Sequence, residues 1–182
     1  GDDRPGAHVA RAAKFAVWNV DAGHGCPISM TYAVVPALRS APTLSAQLEP
    51  LLTSREYDPV LRDPATKQGL VAGMSMTEKQ GGSDVRANTT TATERPDGTF
   101  ELVGHKWFTS APMSDLFLTL AQTASGLSCF MVPRVLPGGE RNRMQLMRLK
   151  DKLGNRSNAS SEIEYDGASG WLVGEEGRGV RT

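Results

Sequence analysis

The run Met74-Ser75-Met76-Thr77-Glu78-Lys79-Gln80-Gly81-Gly82-Ser83, followed by Asp84, joins an apolar segment to a small polar loop. Gly81 and Gly82 carry no Cβ, so the backbone there can approach a ligand closely. Thr77 and Ser83 add hydroxyls that both donate and accept. Successive backbone N–H groups in such a turn can form a concave anion site. About 33 residues after Thr77 comes Gly104-His105-Lys106-Trp107-Phe108-Thr109-Ser110, which mixes flat aromatics with hydroxyls. Two such patches on one sheet fit a planar ligand with a polar edge and a phosphate tail. Taken singly, each residue has a plainer reading. Met74 and Met76 suit a core, Gly81-Gly82 a turn, Phe108 a core aromatic and Ser110 the surface of a strand. The loop also lacks the Gly-Lys-Ser/Thr ending of a P-loop.

The elements that must present these patches divide near residue 68. Before it the pattern is helical. Val9, Ala13, Ala16, Val17 and Val20 form one stripe and predict a helix over His8 to Val20. Pro27 suits the first turn of a second helix running to Arg39, with Pro36 expected to kink or end it. Leu44, Leu48, Leu51 and Leu52 predict a third, interrupted by Pro50. After residue 68 the pattern is strands and turns. Strands are predicted over Gln68 to Met76, Thr89 to Glu94, Thr99 to Val103, Leu116 to Gln122, Leu127 to Val132, Arg143 to Leu149 and Ser160 to Tyr165. Pro96-Asp97-Gly98 reads as a hairpin turn, and Trp171-Leu172-Val173 as a short edge strand. The fold class is therefore α+β, with helices first and a β-barrel or sandwich after them.

Composition narrows the function. Lys plus Arg equals Asp plus Glu at 20 each, unlike a dedicated nucleic-acid domain, which is usually basic. No apolar run approaches the roughly 18 residues of a membrane span, and the start shows no signal-peptide pattern. Cys26 and Cys129 stand far apart and read as two reduced thiols of a cytoplasmic protein. Neither lies at ligand spacing from a histidine, so no metal site is expected. His24 reads as a packed or capping residue. From Arg134 to Arg156, seven basic residues face two acidic ones. That run fits either a phosphate-facing patch or a solvated edge whose charges deter aggregation. Arg156 is singled out as a candidate for a buried pair or a subunit contact. The ending Gly177-Arg178-Gly179-Val180-Arg181-Thr182 reads as the lead-in to another element, hence as part of a longer protein.

Met74 to Asp84 resembles the flavin loop of acyl-CoA dehydrogenases, and Gly104 to Ser110 resembles their second flavin segment. Lys152-Leu153-Gly154-Asn155-Arg156-Ser157 and Leu172-Val173-Gly174-Glu175-Glu176-Gly177-Arg178-Gly179 are similar to two later landmarks, in the same order. The departures are Lys79-Gln80 for a usual Pro-Gly, Met74 for an aromatic and Phe108 for a commoner Trp. Together they look like the adaptive-response branch of the family, which is linked to DNA alkylation damage. The resemblance implies an antiparallel β-barrel middle domain over 69–182 and the end of an N-terminal helical domain over 1–68. It implies FAD held by Met74, Ser75, Met76, Thr77, Glu78, Lys79, Gln80, Gly81, Gly82, Ser83, Phe108, Thr109 and Ser110. Thr77 matches the threonine at the pyrimidine edge, Ser83 the serine near the phosphates, Phe108 the residue against the rings and Ser110 the residue near flavin N5. It also implies an acyl-CoA substrate and a homo-tetramer. Double-stranded DNA would bind through a C-terminal domain outside this chain, where the catalytic base would also lie. Glu78 belongs to the loop and is not cast as that base.

Overall fold

A computed structural model describes residues 4–182. Three helices come first: α1 (Ala7–Trp18), α2 (Gly25–Leu38) and α3 (Pro42–Leu52). Seven strands follow: β1 (Ala72–Ser75), β2 (Thr91–Glu94), β3 (Phe100–Ser110), β4 (Leu116–Thr123), β5 (Gly126–Pro133), β6 (Met144–Leu149) and β7 (Ser160–Val173). The strands β4, β2, β3, β7 and β5 pair in that order, and β5 returns to β4, which closes a small barrel. β1 extends the wall beside β4, and β6 lies against β7. Most pairings are antiparallel, as expected. β1 with β4 and the single contact of β2 with β4 are parallel.

β4 explains how helices and barrel share a core. Its side chains alternate between two faces. Leu116, Leu118 and Leu120 join Val34, Leu38, Leu48 and Leu52 of the helices. Ala121 belongs instead to the barrel interior, with Phe100, Leu102, Phe130, Val132, Ile163 and Tyr165. A strand buried on both faces reads as a continuous apolar run, as β4 does. Thr31 of α2 fastens the two layers at the entry to the ligand loop. Its hydroxyl accepts from the Ala72 N–H at 3.0 Å and donates to Pro27 O at 2.8 Å. Thr31→Val keeps the shape but orphans that N–H. It is expected to cost about 1–2 kcal/mol in urea unfolding.

Several predicted elements change in length. The strand expected over Gln68 to Met76 shrinks to β1, because the Leu70 N–H bonds Leu51 O and the Val71 carbonyl accepts from Asp115 N. The strand expected to stop at Val103 runs on to Ser110, since Gly104 (φ +153°) is a passing point and not a break. Trp171-Leu172-Val173 is no separate edge strand. It is the end of β7, paired with Met131, Phe130 and Cys129 of β5. Gly167, at φ +81°, sits in the register shift where Leu102 faces Ala168 and Val103 faces Asp166. Pro36 lies in the last turn of α2, which stops two residues later at Leu38. α1 ends at Trp18, before Val20, and none of its residues is buried, so its apolar stripe has no cover among the described residues.

Candidate functional site

The two sequence patches form one surface because β1 runs beside β3. The Ser75 and Thr109 hydroxyls are 2.6 Å apart inside the barrel. One step further, the Trp107 N–H donates to Thr77 O at 2.9 Å, and Thr77 bridges Phe108. This sets Thr77 beside Phe108, a residue that is 39% exposed. A bulge between Lys106 and Thr109 turns Trp107 and Phe108 outward on successive positions. Met74 and Met76 are half-buried and pack on the helix-side core. Ser110 is half-buried at the strand end, with its Oγ 3.1 Å from that of Ser160.

Glu78 anchors the loop. Its Oε1 accepts from Lys106 Nζ at 2.8 Å, Thr90 Oγ1 at 2.6 Å and Thr90 N at 3.1 Å. Its Oε2 accepts from Thr89 N at 2.6 Å and Thr89 Oγ1 at 3.0 Å. Lys106 also donates to Leu120 O at 2.7 Å. Both side chains are buried, so the lead-in to β2, β3, β4 and the loop meet at one ion pair. Burial opposes the Glu78 charge, but Lys106, Thr90 and Thr89 outweigh it and hold the carboxyl down, to about 2. Burial draws the Lys106 ammonium below its ordinary value, against the pull of Glu78.

Beyond this anchor the loop turns outward. Gly81 N bonds Glu78 O at 3.0 Å, and Gln80 reaches Asn88, which in turn holds Met76 O. Gly81 has φ +112° with open space where a Cβ would stand. A Cβ on Gly82 would come 2.8 Å from Thr77 Oγ1, so the glycine keeps the space over that hydroxyl clear. The hydroxyls of Thr77 and Ser83 have no partner among the described residues. The donor set is therefore two unspent hydroxyls, a glycine cradle, an exposed aromatic face and the Ser110 hydroxyl. It suits a flat cofactor with hydrogen-bonding edges.

The side chains of Ser75, Glu78 and Thr109 are buried and point into the protein, where they brace the loop and β3. Lys79 lies 5.7 Å from the Trp107 ring. Sequence reasoning missed the role of Lys106. The clue was its parity: it shares the inward face of β3 with Leu102, and a lysine there needs a buried carboxylate.

Part of the basic run 134–156 is spent on the chain itself. Arg148 and Lys150 each reach Glu162 at 2.6 Å, and Lys150 Nζ covers the Trp107 ring at 3.0 Å. Arg134 donates to Met113 O at 2.9 Å. Arg156 forms no buried pair: its side chain is 72% exposed, donates to Lys152 O at 2.8 Å and lies 3.5 Å from the exposed Asp151. His24 is exposed and bonds Asp21 O at 3.2 Å, a local turn contact. Both cysteines are free, and burial pushes the Cys129 thiol up to about 12. Among the described residues there is no metal-ligand cluster, and no helix is long and apolar enough to cross a membrane.

The family pattern "Acyl-CoA dehydrogenase, middle domain" matches residues 73–168, more than half of the chain. The pattern "Adaptive response protein AidB N-terminal domain" matches residues 1–59. AidB of Escherichia coli (strain K12), which carries the name of an acyl-CoA dehydrogenase, is 57% identical over 99% of this chain and 34% of its own length. Acyl-CoA dehydrogenase family member 11 of Caenorhabditis elegans is 35% identical over 94% of this chain and 29% of its own. The crystal structure of Caenorhabditis elegans ACDH-11, solved in complex with a CoA compound, superposes with a TM-score of 0.79 at 32% identity, covering 99% of this chain and 32% of that one. The chain thus spans about a third of the length of these relatives.

Proposed function

Because the chain belongs to the acyl-CoA dehydrogenase family, we propose that it is the flavin-bearing part of a longer flavoprotein that oxidises an acyl-CoA at a CH–CH bond. Residues 1–68 are then the end of an N-terminal helical domain, and 69–182 are the middle β domain. The single observation that carries this reading is the ridge where the free Thr77 hydroxyl, the exposed Phe108 ring and the Ser110 hydroxyl stand together. FAD, when bound, supplies the hydride acceptor for the substrate β-carbon. Thr77 would meet the pyrimidine edge, Ser83 the phosphates and Ser110 the region of N5. Phe108 would lie against the rings, and stacking of that kind is worth roughly 0.5–1.5 kcal/mol beyond area burial. Glu78 serves as an anchor and not a base. A carboxyl held to about 2 and fully bonded is poorly matched to taking a proton near neutral pH. The base that removes the α-proton is therefore assigned outside this chain.

The likeness to AidB supports the adaptive-response branch. A second reading follows from that likeness, in which the full protein protects double-stranded DNA and dehydrogenates little. Within the basic run of this chain, Arg148 and Lys150 are paired with Glu162. The proposed assembly is a homo-tetramer and the proposed location cytoplasmic. The test is anaerobic addition of acyl-CoA thioesters to the purified full-length protein. Bleaching of the visible flavin band within the dead time of mixing is expected. A flavin band that no acyl-CoA bleaches, together with salt-sensitive binding of duplex DNA, would favour the second reading.

A further inference from the structure

β6 lies off the closed barrel and pairs with β7 alone. Among the described residues no strand takes its other edge, whose backbone groups are a template for a further strand. Such edges are usually blunted by a charge or a bulge. β6 has both, in Arg148 and in the register shift between Leu146 and Arg148. Yet Leu146, Met147 and Leu149 are each more than half exposed. The bulge also sorts the side chains. Residues opposed in an antiparallel pair share a face. Met144, Leu146 and Leu149 oppose Tyr165, Ile163 and Ser161, whereas Gln145 and Arg148 oppose Glu164 and Glu162. The extra residue Met147 thus keeps Leu149 on the face of Met144 and Leu146, where a regular strand would turn it to the other.

The strand is consequently complementary to itself. Met144-Gln145-Leu146-Met147-Arg148-Leu149 reads apolar, polar, apolar from either end. Turned about a two-fold axis between Leu146 and Met147, it opposes Met144 with Leu149, Gln145 with Arg148 and Leu146 with Met147. The outer pairs agree in face, and no charge in the strand meets its like. One residue beyond, Arg143 would oppose Lys150, whose ammonium Glu162 already holds at 2.6 Å. An acidic foreign strand fits less well, because Arg148 is also paired with Glu162. A two-fold interface needs a self-complementary surface, since the same patch serves both copies. We propose that β6 pairs antiparallel with β6 of a second copy of this chain, joining two sheets edge to edge. This interface is independent of the flavin reading, since Thr77, Phe108 and Ser110 take no part in it.

The test is the mass of the full-length protein in solution, by sedimentation equilibrium, for two double variants at the exposed positions. Leu146→Lys with Met147→Lys opposes like charges across the axis, and the mass should fall by half. Leu146→Lys with Met147→Glu opposes unlike charges there, and the wild-type mass should return. Both should keep the wild-type far-ultraviolet circular dichroism, which separates loss of pairing from loss of fold. Wild-type mass in the first variant would overturn the proposal. So would a halved mass in both variants, since the two-fold register would then not be the one that joins the copies. A monomeric wild type would overturn it as well. So would a lower urea midpoint in both variants at unchanged mass, the sign that the rest of the same chain covers β6.

Discussion

Lys106→Met is expected to lower the unfolding free energy by about 3–5 kcal/mol, because it strands the buried Glu78 carboxylate without its cation. Methionine fills a similar volume, so cavity formation adds little. The loss should appear as a lower urea midpoint with an unchanged slope. Glu78→Gln should cost less than Lys106→Met at neutral pH. Its amide carbonyl still accepts from Thr90 or Thr89, although its NH2 group cannot replace the second acceptor oxygen. The pH dependence follows from the same pair. The folded Glu78 carboxyl sits at about 2, below its ordinary 4.5. Its stabilisation is complete above about 4.5 and is lost as pH falls toward 2. A shift of that size corresponds to roughly 3 kcal/mol. Acid unfolding of the wild type should therefore steepen between those limits, and Glu78→Gln should lack this component. An identical acid limb in both proteins would show that the carboxylate does not carry the pair.

Gly104→Ala is expected to cost about 2–4 kcal/mol and to weaken cofactor retention along with the fold. The reason is local. At φ +153° the residue is in a region that favours glycine, and a Cβ would stand 2.7 Å from Thr90 Cα and 2.8 Å from Thr90 Cβ. Backbone cannot swing aside as the tip of a long side chain does. Relief would push Thr90 away from β3, and Thr90 gives Glu78 two of its hydrogen bonds. The substitution thus reaches the ligand loop through its anchor. Gly98→Ala, also at positive φ but with no atom within 4 Å, is the control for backbone strain alone. The two variants should differ clearly in urea midpoint. Equal effects would mean that the close approach to Thr90 matters little.

The residues that were legible in the sequence are those with a local signature. Thr77, Gly81, Gly82 and Ser83 stand out because small polar residues interrupt an apolar pattern. The first and third helices follow from their apolar stripes, the second from Pro27 and Pro36, and the strands around Leu116 and Leu127 from continuous apolar runs. The parts that were not legible depend on distant partners. Gly104 and Gly167 look like breaks, yet paired neighbours on both sides carry β3 and β7 through them. The anchor role of Glu78 was hidden because its partners Thr89, Thr90 and Lys106 lie 11 to 28 residues away. The basic run 134–156 looked like a patch because sequence does not reveal Glu162, which meets Arg148 and Lys150 across β6 and β7.

The most direct test of the central claim is the FAD content of the purified full-length protein, read from its visible flavin absorbance and repeated with Thr77→Ala and Ser110→Ala. One FAD per chain in the wild type, with weaker retention in both variants, is the predicted result. Wild-type protein that takes up no FAD even when it is supplied would contradict the account. So would full FAD content in both variants, since the ridge would then not be where the cofactor is held.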